Sequence, residues 1–364
     1  MTTMWTAGAA VAQDRVVSPG TVIVDDDGVI EAVVPRRVTG AHDLGSRSLL
    51  VPGAVDLHGD AAERFAEPRP GARMPLTVAV RALDQRLAAA GVTTACTALS
   101  LTSEKDGLHD RASVEALGHE LRGLADPRVD HRLHLRVLAA GDENVVAAEH
   151  LLRRGGVAVL SVLAGSPLGW PTATDSCGCA DRAEPAPVTT ADHDGEATPD
   201  TSHEERLERL AAAARRAHVP LAWHHPESPE TIARAAALGT TIAQFPATVH
   251  TARAAGPAGM VVAMGAPSLL LRRVTRGALS ARQALAASTL DVLVSDYYPE
   301  ALWPAVLDTA LPLPEAVDLI TDAPARALRL TDRGALAPGR RGDLVALRPD
   351  GTVRRTVVGG RVVH

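Results

Sequence analysis

Lysine is nearly absent from this 364-residue chain: Lys105 stands alone against 36 arginines, and aromatic side chains make up only 2%. The surplus of Arg, Ala, Gly and Val matches a GC-rich coding background and carries no function by itself. An excess of basic charge is also lacking. Thirty-seven Lys and Arg against 43 Asp and Glu leave a net charge of −6, which excludes a nucleic-acid binder working by bulk electrostatics. Three cysteines, Cys96, Cys177 and Cys179, are few and odd in number for a chain that is 46% hydrophobic, so a disulfide framework is excluded. No apolar run approaches the roughly 20 residues that cross a bilayer, and Met1 to Ala10 has no basic stretch ahead of an apolar block. The expectation is a cytoplasmic protein with no membrane partner, in which an anionic ligand would need a local cluster of arginines.

What is present divides into three parts. Short β-rich runs broken by turn signals fill residues 9 to 50: Val11, Val16 to Val17, Thr21 to Val24, the turn Asp25-Asp26-Asp27-Gly28, then Val29 to Val34. The C-terminus repeats the style, with Asp343 to Leu347, a Pro349-Asp350-Gly351 turn, Val353 to Val358, a Gly359-Gly360 turn and Arg361 to Val363. Residues 1–50 and 331–364 are therefore expected to pair into one small β-sandwich. Across 51–330, apolar runs alternate with Ala- and Arg-rich helical stretches. The runs are Ala54 to Leu57, Thr93 to Leu99, His131 to Val137, Val157 to Leu163, Val219 to Trp223, Thr241 to Phe245, Val261 to Met264 and Val292 to Ser295. Eight βα units predict an α/β fold, a (β/α)8 TIM-like barrel with its active site where strands end, although a doubly wound sheet shares the pattern. Residues 171–205 have neither apolar period and read as a mobile insertion.

Chemistry-bearing residues gather at the ends of these runs. Asp56-Leu57-His58-Gly59-Asp60 closes the first, and alternation along a strand lets His58 and Asp60 share a face as half of a divalent-metal site. Ser295-Asp296-Tyr297-Tyr298-Pro299 closes the last, where Asp296 would ligate metal or take a proton, or else serve as a turn or helix-capping residue. Trp223-His224-His225-Pro226 offers His224 as a further ligand, with His225 on the opposite face. Arg64, Arg69, Arg136, Arg272, Arg273 and Arg276 are candidates for phosphate contacts, since a guanidinium matches phosphate oxygens with two parallel hydrogen bonds. Arg69 is distinctive because Pro68 and Pro70 stiffen its loop. Cys177-Gly178-Cys179 does not have a usual zinc spacing.

The stretch from Val51 to Gly71, with His58-Gly59-Asp60, Glu63-Arg64 and Pro68-Arg69-Pro70-Gly71, resembles the opening of the amidohydrolase superfamily. In particular it resembles the PhnM family of α-D-ribose 1-methylphosphonate 5-triphosphate diphosphatases. Gln244-Phe245-Pro246-Ala247-Thr248, Met264-Gly265-Ala266-Pro267 and Ser295 to Pro299 extend the resemblance, and Leu336 to Val363 is similar to the closing sheet of most amidohydrolases. The resemblance implies a distorted barrel with a β-sandwich from both chain ends. It also implies metal-dependent hydrolysis of a triphosphate to a 5-phosphate and diphosphate in phosphonate metabolism. By position, His58, Asp60, His224 and Asp296 would hold the metal, with Asp296 also catalytic, while Arg64, Arg69, Arg136 and His225 would face an anionic small-molecule substrate. Where the family places a carboxylate after Leu-Arg, this chain has Val137 and Leu138, and its Asp-His pair is replaced by Ala164-Gly165. A mononuclear centre of zinc, or of manganese or iron, is the consequence, with Asp142 and Glu143 as candidate substitutes for the missing ligands. Hydrolysis of a cyclic amide or amine, and a non-catalytic member with an anion pocket, are the competing readings; a homo-oligomer fits any of them.

Overall fold

The eight apolar runs become eight parallel strands whose order in the sheet follows the chain. The computed structural model describes residues 2–69, 71–102, 108–163, 201–271 and 278–364. Its barrel strands are Ala54–Gly59, Val92–Leu101, Asp130–Leu138, Val157–Leu163, Leu221–His224, Ile242–Gln244, Val261–Gly265 and Val292–Val294. The eighth comes back to the first through a parallel bridge between Gly59 and Asp296, with Asp60 N donating to Asp296 O at 2.6 Å and Asp296 N donating to His58 O at 3.0 Å. That seam nearly closes the sheet into a TIM-like barrel, and it lies at the strand ends that carry His58 and Asp296.

Each barrel strand is apolar on both faces because both are buried, as expected of parallel strands under helices. The outward faces, among them Leu99, Leu135, Val162, Trp223 and Leu293, join the helices in the larger core. Inward, Val55, Leu57, Cys96, Val159, Ala222, Ile242, Ala263, Val292 and Val294 fill the barrel. Continuing two residues along the same faces, Val159 leads to Ser161, Ala222 to His224, and Ile242 to Gln244, so the interior turns from apolar to polar towards the strand ends. Helices start where a side chain can accept a backbone N–H: Asp110, Ser228, Thr248 and Ser280 each cap one.

Two further sheets lie beside the barrel. One has four strands in the order Ile30–Val34, Gly20–Val24, Thr3–Ala7, His42–Asp43; the other has six, in the order Arg361–Val362, Val353–Val358, Leu344–Leu347, Leu49–Pro52, Ala9–Val11, Val16–Val17. The six-stranded sheet draws strands from both chain ends, and Trp5, Val22, Ile30, Leu50, Leu344 and Val357 form a separate core with it.

Some expectations shift. The strand Thr3–Ala7 lies ahead of the β-runs read from the sequence, and its Trp5 is buried. Of the segment 171–205, residues up to 200 lie outside the described residues, as do Cys177, Cys179, Arg272, Arg273 and Arg276; Thr201–Arg216 is a helix. Asp142 and Glu143 open the helix Asp142–Arg154, and Asp142 is exposed and paired with Arg209 at 3.4 Å, so Asp142 is no substitute ligand. Among the described residues no helix is long and apolar enough to cross a membrane.

Candidate metal centre

Three strand ends bring the predicted ligand residues to one end of the barrel. His58 and Asp60 come from the first strand, where the pairing register shifts between Asp56 and Gly59. That irregularity lets His58 face the same pool as residues on the third and fifth strands. His224 ends the fifth strand, and Asp296 follows the eighth. One ligand atom from each of His58, Asp60 and Asp296 lies within 4.8 Å of the other two. The His224 ring stacks on His58 with centroids 5.4 Å apart at 19°; it adjoins the trio, which does not include it. Phe245 stands edge-on to both rings at 5.3 Å and walls one side.

The backbone at this end is strained. His225, Phe245 and Asp296 all have positive φ, at 53°, 52° and 55°, in the left-handed region that non-glycine residues rarely occupy. Each lies within two residues of a barrel strand's end, where the sharp turn aims the neighbouring side chain across the mouth. At Asp296 a tight fit helps: a Cβ on Gly265 would stand 2.9 Å from the Asp296 carboxylate, so the glycine makes room for it.

Electrostatics separate the two carboxylates. Burial alone would raise the Asp60 pKa, but the Arg136 guanidinium and His58 outweigh it and hold the carboxyl well below its usual range. Arg136 makes two parallel contacts to Asp60, at 3.0 and 2.9 Å, and is itself buried. Asp296 is pushed up to about 7, first by burial and then by the negative charge of Asp60. A fixed carboxylate therefore faces one that exchanges its proton near neutrality, a division suited to an acid–base site. Asp56, fully buried, is raised by desolvation and accepts from Ser295 N at 3.0 Å and from its hydroxyl at 2.5 Å, bracing the last strand.

Sequence reasoning missed an inner layer. His134 Nδ1 lies 3.2 Å from His58 Nδ1, and His134 Nε2 lies 2.6 Å from Ser161 Oγ. The Ser161 hydroxyl donates to Gln244 Oε1 at 2.8 Å, and the same oxygen lies 3.2 Å from His224 Nδ1. His134 and His224 both have pKa values well below the ordinary histidine value, through burial first; beyond that, His134 feels the charges of His58 and Arg136, and His224 those of His225, His58 and Arg136. The available signal was alternation: His134 precedes Arg136 by two on the third strand and so shares its face.

The remaining candidates scatter around the rim. His225 is set by Nδ1 against the Phe245 carbonyl at 3.2 Å, and burial lowers its pKa to about 4. Arg64 lies exposed with its guanidinium 5.6 Å above the Tyr297 ring, and Arg69 is exposed on its loop. Arg136, expected to meet phosphate, gives both terminal nitrogens to Asp60.

These donors fit a divalent cation. An imidazole and two carboxylates converge within reach of bonds of about 2 Å, and Asp296, raised first by burial and then by the charge of Asp60, is a carboxylate that a nearby cation would hold ionised. A donor set rich in oxygen suits manganese and iron as well as zinc.

Comparison with known proteins bears on this centre. Residues 187–363 match the model of the Amidohydrolase family. The chain is 30% identical over 361 residues to the α-D-ribose 1-methylphosphonate 5-triphosphate diphosphatase of Escherichia coli strain K12, covering 92% of each chain. In fold it is similar to N-acetyl-D-glucosamine-6-phosphate deacetylase from Mycobacterium smegmatis, with a TM-score of 0.66 and 21% identity over 100% of both chains. It is also similar to dihydropyrimidinase from Brevibacillus agri NCHU1002, with a TM-score of 0.66 and 15% identity over 100% of this chain and 95% of that one.

Proposed function

Because the chain belongs to the amidohydrolase family, in the branch of the α-D-ribose 1-methylphosphonate 5-triphosphate diphosphatases, we propose that it hydrolyses a phosphoric anhydride, releasing diphosphate from a ribose phosphonate triphosphate. The observation that carries this reading is the convergence of His58, Asp60 and Asp296 at the mouth of the barrel. His58, Asp60 and Asp296 would hold a divalent cation there, which would lower the pKa of water and polarise a phosphoryl oxygen.

The chain's own groups divide the remaining work. Asp296, at the mouth of the barrel beside Asp60, accepts the proton of the attacking water at a carboxylate oxygen. Asp60 stays ionised under the hold of Arg136 and keeps the cation's charge in place. Arg64, beside Tyr297 at the rim, and Arg69 on its loop meet the anionic triphosphate and the departing diphosphate. His225 and Phe245 wall the side nearest His224.

Diphosphate release from α-D-ribose 1-methylphosphonate 5-triphosphate, measured with added zinc, manganese or iron, tests the proposal. Turnover should appear with metal and fall by roughly 10²–10⁴ in Asp296→Asn, the usual weight of a general base. Ammonia or a new carboxylate from a cyclic amide, with no diphosphate from the triphosphate, would reassign the substrate class.

A further inference from the structure

Adjacent residues of one short helix join the first loop of the mouth to its two neighbours. In Ala62–Ala66, Arg64 lies over the ring of Tyr297, which follows Asp296 on the eighth loop, and Glu63 turns to His109 on the second. Glu63 stands three residues past Asp60, so their Cα atoms are at most about 11 Å apart. Its Oε1 lies 3.7 Å from His109 Nδ1, longer than a hydrogen bond. Among the described residues His109 Nδ1 is buried with no hydrogen-bond partner, and so is Thr102 Oγ1. Thr102 comes directly after the second strand and is held beside His109, its N donating to His109 O at 3.3 Å. The His109 side chain is 8% exposed and that of Glu63 34%, so the niche is closed behind and open towards solvent. Buried polar atoms left unmatched are costly. Two of them in one niche beside a carboxylate mark a place for a polar guest, and none of the three residues belongs to the metal-binding trio.

The guest's chemistry follows from the groups that line the niche. An anion is repelled by the Glu63 carboxylate. A hydroxyl both donates and accepts, so it can give its proton to Glu63 Oε1 while its oxygen accepts from His109 Nδ1. A second hydroxyl on the same molecule can meet Thr102, whose own hydroxyl plays either part. We infer that Glu63, His109 and Thr102 form a subsite for the vicinal hydroxyls of a sugar, here the ribose of the substrate, on the second-loop side of the mouth. The inference rests on the diphosphatase reading above and deepens it. Along one loop Glu63 takes the uncharged sugar and Arg64 the phosphates, so the ribose turns towards the second loop and the phosphate chain towards the eighth. Because Glu63 is so close in the chain to Asp60, this orientation brings the phosphorus next to the ribose, and not a terminal one, to the metal centre.

Diphosphate release from α-D-ribose 1-methylphosphonate 5-triphosphate and from its 2-deoxy and 3-deoxy counterparts tests the subsite, using the full-length protein with whichever of zinc, manganese or iron supports turnover. In the wild type, removing the hydroxyl that meets Glu63 should lower kcat/KM by about 10–100-fold, the weight of a hydrogen bond to a charged group. Glu63→Gln should lose a similar factor on the full substrate and little more when that hydroxyl is also absent, since the two changes delete one contact. Thr102→Val, which keeps the side chain's shape, should show the same pattern with the other hydroxyl and a smaller loss. Inorganic tripolyphosphate carries no sugar, and its inhibition constant should not change in either variant. Equal kcat/KM for the three substrates in the wild type would overturn the inference. So would variant losses that simply multiply with those of the deoxy substrates, or a tripolyphosphate inhibition constant that rises as far as the loss on the full substrate. Turnover of none of the three substrates by the wild type would instead remove the diphosphatase reading on which the inference rests.

Discussion

A carboxylate held at about 7 makes this centre sensitive to pH in two opposed ways. A cation needs Asp296 ionised, so below about 7 each unit of acid should weaken metal binding by nearly tenfold, and above it the affinity should level off. Calorimetric titrations between pH 5 and 8 check this. Stability of the metal-free protein should run the other way. Between the ordinary aspartate value of 3.8 and about 7, the native chain keeps a proton that the unfolded chain has released. The contribution of Asp296 therefore falls as pH rises through that window and is flat above it. Asp296→Asn should flatten both profiles. Asp60→Asn breaks the pair with Arg136 and leaves a buried guanidinium without its counter-charge, so metal loss should come with destabilisation of about 2–4 kcal/mol, seen as a lower urea midpoint. At this scale the sequence was half legible. His58, Asp60 and Asp296 sit in short motifs at strand ends, which spacing reveals. His134, Ser161 and Gln244 sit inside apolar runs, where a lone polar residue reads as a tolerated core group, and only the curvature of the closed sheet brings three different strands to one point.

The barrel strands were legible because burial on both faces writes a continuous apolar run into the sequence, and all eight runs became strands. Thr3–Ala7 was not, because Thr-Met-Trp-Thr-Ala has neither a long run nor clean alternation; its place is fixed by antiparallel pairing with Gly20–Val24. The junction between the terminal sheets and the barrel was read at residues 50 and 51, but the close packing that fixes it was not legible. Gly53 is the single residue between the strands Leu49–Pro52 and Ala54–Gly59, and a Cβ there would come within 2.2 Å of Thr93 Oγ1 and 2.7 Å of Thr93 Cβ. Thr93 is fully buried and β-branched, so it cannot turn aside cheaply. Gly53→Ala should therefore destabilise by roughly 1–3 kcal/mol, the usual cost of overpacking. Combining it with Thr93→Ala should recover part of that loss, a coupling that a double-mutant cycle of urea midpoints would detect.

The barrel has two ends with different duties, and the charges at the end away from the metal centre belong to stability. Arg333, from the C-terminal segment, is only 5% exposed. It donates to Asp130 Oδ2 at 2.6 Å, to Thr94 Oγ1 at 2.7 Å, and to both Asp332 oxygens at 2.9 Å. Asp130 and Thr94 lie at the beginnings of the third and second barrel strands, opposite the ends that carry Arg136, His58, Asp60 and Asp296. Arg341 reaches the same Asp130 at 3.5 Å and Asp343 at 3.0 Å, so one cluster ties the closing sheet to the barrel floor. Arg333→Met keeps the length of the side chain and removes its charge. It should cost about 2–4 kcal/mol, towards the low end for a broken buried pair because Asp130 retains Arg132 and Arg341. Metal stoichiometry and affinity should not change, since no group at the mouth is touched. A variant that lost stability and metal together would mean that the two ends of the barrel are energetically coupled, and the separation of duties argued from their geometry would fail.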